Sequence, residues 1–205
     1  MDSHLVVLDF ETSGMSPECG DRAIEIGAVK VEDGAIVDRF QSLMNPQRRI
    51  NAFIENFTGI TNAMLTEAPP AEQIMMEFDD FIGDAPLVAH NASFDRRFLD
   101  AELSRIDRRR RKPFGCSMLA ARRVYPDAPN HKLETLVRYR NLPNDGTFHR
   151  ALADSEMTAR LWLAMCDDLM AGYGLPEVGF ELMCSLSKVG RARAADYLRR
   201  IADSC

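Results

Sequence analysis

Cysteine is scarce in this chain, and its five residues (Cys19, Cys116, Cys166, Cys184 and Cys205) are scattered with no C-x-x-C pair. An odd, dispersed set argues against a disulfide framework and a zinc ribbon, and for reduced thiols in the cytoplasm. Long apolar runs are missing too. Leu5-Val6-Val7-Leu8 is the longest near the start, far short of the ~18 residues that cross a bilayer, so no membrane association is expected. Met1-Asp2-Ser3-His4 lacks the basic segment of a secretory leader. The sequence has neither internal repeats nor low-complexity tracts. Against these absences, 46% of the residues are hydrophobic, an ordinary share that supports a sizeable core and excludes disorder. With 205 residues against roughly 150 for a typical domain, one full domain plus an appendage is expected.

Positive charge is in deficit, with 25 Lys and Arg against 31 Asp and Glu, net −6. Taken alone, that balance argues against a nucleic-acid partner. Its distribution is uneven. Residues 105–123 hold eight bases against Asp107 alone, or +7, so the rest of the chain sums to −13. Residues 1–38 hold nine acids against Arg22 and Lys30. The arginine run reads either as a solvated helix end and loop or as a stretch that engages phosphates.

Hydrophobic patterning predicts strands over 5–11, 23–31 and 35–44, the last two joined at Glu32-Asp33-Gly34, where Gly34 tolerates positive φ. These three make an antiparallel meander. Short helical turns follow over 50–66, then a helix from Pro69-Pro70 to about residue 82. A short buried strand is expected at Leu87-Val88-Ala89, a helix over 93–106, and a short strand or helix start near Cys116. Helices are predicted over 117–124, 132–140 and 150–170. The pattern is α/β: a mixed sheet of antiparallel meander plus parallel strands, covered by helices. Gly172-Tyr173-Gly174-Leu175-Pro176 marks a boundary. It separates a domain over 1–172 from a helical extension over 173–205 that is too short for its own core.

Asp9 and Glu11 are two apart on a predicted strand, so both side chains leave one face. Asp95 and Asp154 fall near two helix starts, where each alone is an ordinary first-turn acid. Together, four carboxylates converging on one sheet edge repel one another unless cations sit between them. All-oxygen ligand sets suit hard ions such as Mg²⁺ or Mn²⁺. A histidine is the natural base for an attacking water, and His149 stands just before Asp154.

Three segments then resemble the motifs of one family, the DEDDh 3′→5′ exonucleases, which include proofreading ε subunits of bacterial DNA polymerase III and their stand-alone relatives. They are Asp9-Phe10-Glu11-Thr12-Ser13-Gly14-Met15, Leu87-Val88-Ala89-His90-Asn91-Ala92-Ser93-Phe94-Asp95, and the H-x₄-D spacing of His149 to Asp154. Phe57-Thr58-Gly59-Ile60 and Asn130-His131-Lys132-Leu133-Glu134-Thr135-Leu136 are similar to further family segments. The resemblance covers about residues 5–170.

It implies a ribonuclease H-like fold and metal-dependent hydrolysis at a 3′ end, on DNA in preference to RNA, with a single strand favoured. It implies two divalent ions, Mg²⁺ or Mn²⁺, one held by Asp9, Glu11 and Asp154 and one by Asp9 and Asp95, with His149 as general base. Main-chain groups around Glu11 and Thr12 would hold the terminal nucleotide. Met15 and Ile60 either offer apolar surface to its base or belong to the core. His90 and Asn91 either brace the terminal phosphate or sugar or form a buried polar pair bonded to backbone. A binding module with a weak site, and an RNA-directed exoribonuclease of the same fold, are the alternatives. Gln41-Ser42-Leu43-Met44 has the flavour of a clamp-binding peptide but falls on a predicted strand, so no polymerase partner is assigned.

Overall fold

A computed structural model describes residues 4–143 and 150–204. Its five-stranded sheet contains β1 (Leu5–Thr12), β2 (Ala23–Glu32), β3 (Ala35–Leu43), β4 (Leu87–Ala89) and β5 (Phe114–Cys116), in the spatial order β3-β2-β1-β4-β5. β1 pairs antiparallel with β2, and β2 with β3; β4 joins β1 in parallel, and β5 joins β4 in parallel. The expected meander plus parallel strands is the sheet observed. Asp33 and Gly34, with φ of 49° and 79°, close the β2–β3 hairpin in the doubly left-handed turn that matches strand twist.

β1 is central and buried on both faces, and its period of two sorts the core. Leu5 and Val7, with Val29 and Val31 of β2, face α5 (Ser117–Val124), α6 (Leu133–Tyr139) and α7 (Ala151–Tyr173). Val6, Leu8 and Phe10 face α3 (Ala71–Ile82) and α4 (Ser93–Arg105). Asp9 and Glu11 therefore continue the α7 face of β1 beyond its last valine. A smaller cluster of Ile24, Ile50, Ile60 and Leu65 sits under α1 (Ala52–Thr58) and α2 (Asn62–Glu67). Asn51 and Thr61 cap those two short helices by accepting from Ile54 N–H and Met64 N–H.

Gly27 governs how α7 meets the sheet. A Cβ at this position would lie 2.1–2.5 Å from the backbone of Ala151 and Leu152, so only glycine lets the helix start cross β2 so closely. Ser155 Oγ then donates to Gly27 O at 2.8 Å. Beyond Gly174, α8 (Phe180–Lys188) and α9 (Ala194–Ala202) place Met183, Leu186, Ala194 and Leu198 in the same cluster as Trp162. Arg123 Nε ties the end of α8 down through Val189 O at 2.8 Å.

Candidate active site

The β1–β2 register sets Asp9 opposite Gly27 and Glu11 opposite Glu25. The α7 start crosses at that glycine, which brings Asp154 over the end of β1. One carboxylate oxygen from each of Asp9, Glu11 and Asp154 lies within 4.8 Å of the others. Asp95 comes in from α4. It is 2% exposed, and its Oδ1 accepts from Phe10 N–H at 3.2 Å, on the backbone between Asp9 and Glu11. Four acids expected from three separate segments are thus gathered at one strand end. His149 lies outside the described residues.

Burial and mutual repulsion resist ionisation here. Desolvation pushes Glu11 up to about 8, with the carboxylates of Asp154, Glu25 and Asp95 adding to it and Arg150 opposing. Desolvation, then Asp95 and Asp154, hold Asp9 well above the usual carboxylate range. Asp95 rises to about 7 through burial, against the hydrogen bond from Phe10 that favours its charged form. A divalent cation fits this set. It would satisfy three close oxygens and would allow all of them to ionise at neutral pH.

Glu25 is a member of the site that sequence patterning did not single out. It is fully buried. Its Oε1 accepts from Arg150 Nη2 at 2.9 Å and from Gln41 Nε2 at 2.9 Å, and its Oε2 accepts from Ala151 N–H at 3.2 Å. A charge inside the apolar run Ala23-Ile24-Glu25-Ile26-Gly27 was the available signal.

The remaining candidates are placed as follows. Thr12 is buried and donates from Oγ1 to Gly14 O at 2.6 Å. Met15 is 73% exposed, so it is no core residue. Ile60 is fully buried among Ile24, Ile50 and Leu65; its side chain packs the satellite core and offers no surface to a base. Both ring nitrogens of His90 are engaged. Nε2 pairs with His131 O and Nδ1 with Ser117 Oγ, each at 2.9 Å. A carbonyl only accepts, so Nε2 carries the proton, and burial holds the imidazolium down to about 4. His90 is therefore neutral and structural here rather than a brace for phosphate. Asn91 is exposed, with φ of 64°.

A family model described as exonuclease, of the RNase T type, matches residues 6–162. The chain belongs to this exonuclease family. Among curated relatives, the PolC-type DNA polymerase III of Bacillus cereus is 38% identical over 177 residues, and that of Bacillus subtilis 40% identical over 165. These matches cover 86% and 80% of this chain but only 12% and 11% of the polymerases, so the chain spans about an eighth of their length. Exonuclease X, solved in complex with 5′ overhanging duplex DNA, superposes with a TM-score of 0.69 at 30% identity, covering 89% of this chain and 99% of that one. The nuclease domain of 3′hExo, a DEDDh family member bound to rAMP, shares the fold, with a TM-score of 0.67 at 21% identity over 86% of this chain and 96% of that one. The exonuclease fold therefore accounts for the mixed sheet. Among the described residues no helix is long and apolar enough to cross a membrane.

Proposed function

We propose that the chain is a metal-dependent 3′→5′ exonuclease that removes nucleoside monophosphates from the 3′ end of DNA. The observation that carries this reading is the convergence of Asp9, Glu11 and Asp154 at the end of β1, with Asp95 on the adjoining backbone. Asp9, Glu11 and Asp154 are assigned to one Mg²⁺ or Mn²⁺, and Asp9 with Asp95 to a second. Ions held there would lower the pKa of an attacking water and stabilise charge on the leaving oxygen of a displacement at phosphorus. The chain's own residues do the rest. Main-chain groups at Glu11 and Thr12 hold the terminal nucleotide, and exposed Met15 offers its thioether to the base. His149, assigned by its spacing from Asp154, accepts the water proton.

DNA is favoured over RNA because Exonuclease X, 30% identical over nearly its whole length, was solved with duplex DNA. The PolC-type relatives support a replication setting, with no polymerase partner named. The free thiols Cys19, Cys116, Cys166 and Cys184 suit a cytoplasmic setting.

The test is digestion of 3′-labelled single-stranded DNA, duplex DNA and RNA with Mg²⁺, with Mn²⁺ and with EDTA. Labelled mononucleotide should appear fastest from single-stranded DNA and not at all in EDTA. Failure of the wild-type protein with either metal overturns the reading. His149→Ala should lose ~10²-fold or more in kcat while still binding DNA, the low end of what a positioned base contributes.

A further inference from the structure

Two groups of cations in this acidic chain differ in their partners. In the run that starts at Arg105, four guanidinium groups are matched by acids of α3 and α4 or of the turn after α3. Arg105 meets Glu102; Arg108 and Arg111 meet the buried Asp79; Arg110 meets Asp100; Arg111 also reaches Asp84. The run begins at the end of α4 opposite the acidic site. α4 starts at the site with Asp95 and spans 13 residues, about 20 Å at 1.5 Å per residue. The run then enters β5 from the end of the sheet opposite Ala89. It clamps α3 to the loop before β5.

The second set lies at the site's own end of the sheet. A groove of about 620 Å³ opens beside His90 and Asn91, with Arg122 of α5 on one wall and Asn130, His131 and Lys132 on the other. No acid lines it. Arg122 and Lys132 are exposed, and among the described residues neither forms an ion pair with a carboxylate. The groove is also built rather than accidental. His90, at the end of β4, bonds through Nδ1 to Ser117, the first residue of the helix that carries Arg122. Through Nε2 it bonds to the carbonyl of His131, next to Lys132. One neutral imidazole thus fixes both walls to the strand that leads into Asp95.

We propose that this groove carries the phosphodiester backbone of the nucleic acid whose 3′ end occupies the acidic site, with Arg122 and Lys132 as its phosphate contacts. The assignment rests on the exonuclease reading above and extends it to a substrate track. Two unmatched cations in an acid-free groove, on a chain of net −6, are suited to a polyanion. The acid-paired arginines of the other run are not.

The experiment measures the affinity of fluorescein-labelled dT20 by anisotropy in Ca²⁺ at several salt concentrations between 50 and 200 mM. Each phosphate contact on a single strand contributes about 0.7 to the slope of log affinity against log salt. The Arg122→Gln, Lys132→Gln protein should therefore lose about 1.4 from that slope and bind roughly tenfold more weakly at 0.1 M salt. A comparator with the same charge change at the far end, Arg109→Gln, Lys112→Gln, should keep the wild-type slope. A wild-type slope in the groove variant overturns the assignment, and so does an equal loss in the comparator. Melting temperatures verify folding, and if the double variant melts early, each single variant should lose about half the effect. Digestion of 3′-labelled dT20 by the wild-type protein is read separately. If it fails, the exonuclease reading falls; if it proceeds while the groove variant keeps its slope, only the track falls.

Discussion

Arg150 and Glu25 form an ion pair at 2.9 Å that joins the residue before α7 to β2 near its start. The same carboxylate accepts from Ala151 N–H, a donor at the helix start without an intrahelical partner. Asp154 N–H in turn donates to Arg150 O at 3.0 Å. The pair therefore fixes the turn of α7 that carries Asp154 relative to the strand opposite Glu11. Removing one partner of a fully buried pair costs about 3–5 kcal/mol. Here the Arg150 side chain is 41% exposed, and Gln41 and Ala151 still serve Glu25, so Arg150→Met should cost about 1–3 kcal/mol. The same variant should weaken the metal requirement's apparent affinity more than it alters DNA binding, because Asp154 is what it releases. Thermal melts and a Mg²⁺ titration of activity check both effects. An unchanged Mg²⁺ midpoint refutes the positioning role.

Gly27→Ala tests the crossing itself. Its methyl would sit 2.1–2.5 Å from backbone atoms of Ala151 and Leu152, which have no rotamer to swing away. Overpacking a tight site costs typically ~1–3 kcal/mol, and with backbone as the obstacle the upper end is expected. The helix start must lift, carrying Asp154 from Asp9 and Glu11. The expected outcome is a lower melting temperature together with near-complete loss of nuclease activity at temperatures where the variant is still folded, which circular dichroism and a digestion assay measure side by side.

Much of this was readable from the chain because strand alternation and helix signals are local. The run from Leu5 to Glu11 carries its own face assignment, and the Asp33-Gly34 turn sets the hairpin. What joined the acids was long-range register, and local patterning could not supply it. Glu25 looked like a lapse in an apolar strand until pairing set it opposite Glu11. Ile60 and Met15 looked alike as apolar candidates, yet one fills a satellite core and the other is open to solvent. The arginine run read either as a solvated loop or as a phosphate site, because the acids that pair with it, Asp79 and Asp100, lie ten or more residues away.

The acid cluster and His90 should bend metal-free stability in opposite directions. Glu11 titrates near 8 when folded against 4.5 in an open chain, and Asp95 near 7 against 3.8. Across those windows the unfolded chain gives up protons that the folded one keeps, so stability falls as pH rises from about 4 to 8. His90 titrates near 4 folded against 6.5 unfolded. Its contribution is present above 6.5 and is lost as pH falls toward 4. Above pH 6.5 only the carboxylates act, and metal-free protein should melt progressively lower toward pH 8, by about 2–4 °C for each kcal/mol lost. Saturating Mg²⁺ should flatten that fall. A metal-free melting temperature that stays constant from pH 6.5 to 8 contradicts the burial-driven shifts.

Asp9 is the carboxylate at which the repulsions meet, since Asp95, Asp154, Glu11 and Glu25 all raise it. Replacing it by asparagine removes a charge from the cluster without changing the side chain's size. In metal-free buffer at pH 8, Asp9→Asn should therefore melt higher than wild type, and its loss of stability between pH 6.5 and 8 should be shallower. In Mg²⁺ the order should reverse, because the wild type gains stability from the ion and the variant gains less. Activity should move opposite to metal-free stability. Metal ions supply several kcal/mol of charge stabilisation at a reacting phosphate, and each 1.36 kcal/mol is tenfold in rate, so a loss of at least about a hundredfold in kcat is expected. Calorimetry with and without Mg²⁺, alongside the digestion assay, reads both arms. If Asp9→Asn kept wild-type turnover, Asp9 would hold no ion the reaction needs. If the variant melted lower in EDTA at pH 8, repulsion would not be what dominates this cluster.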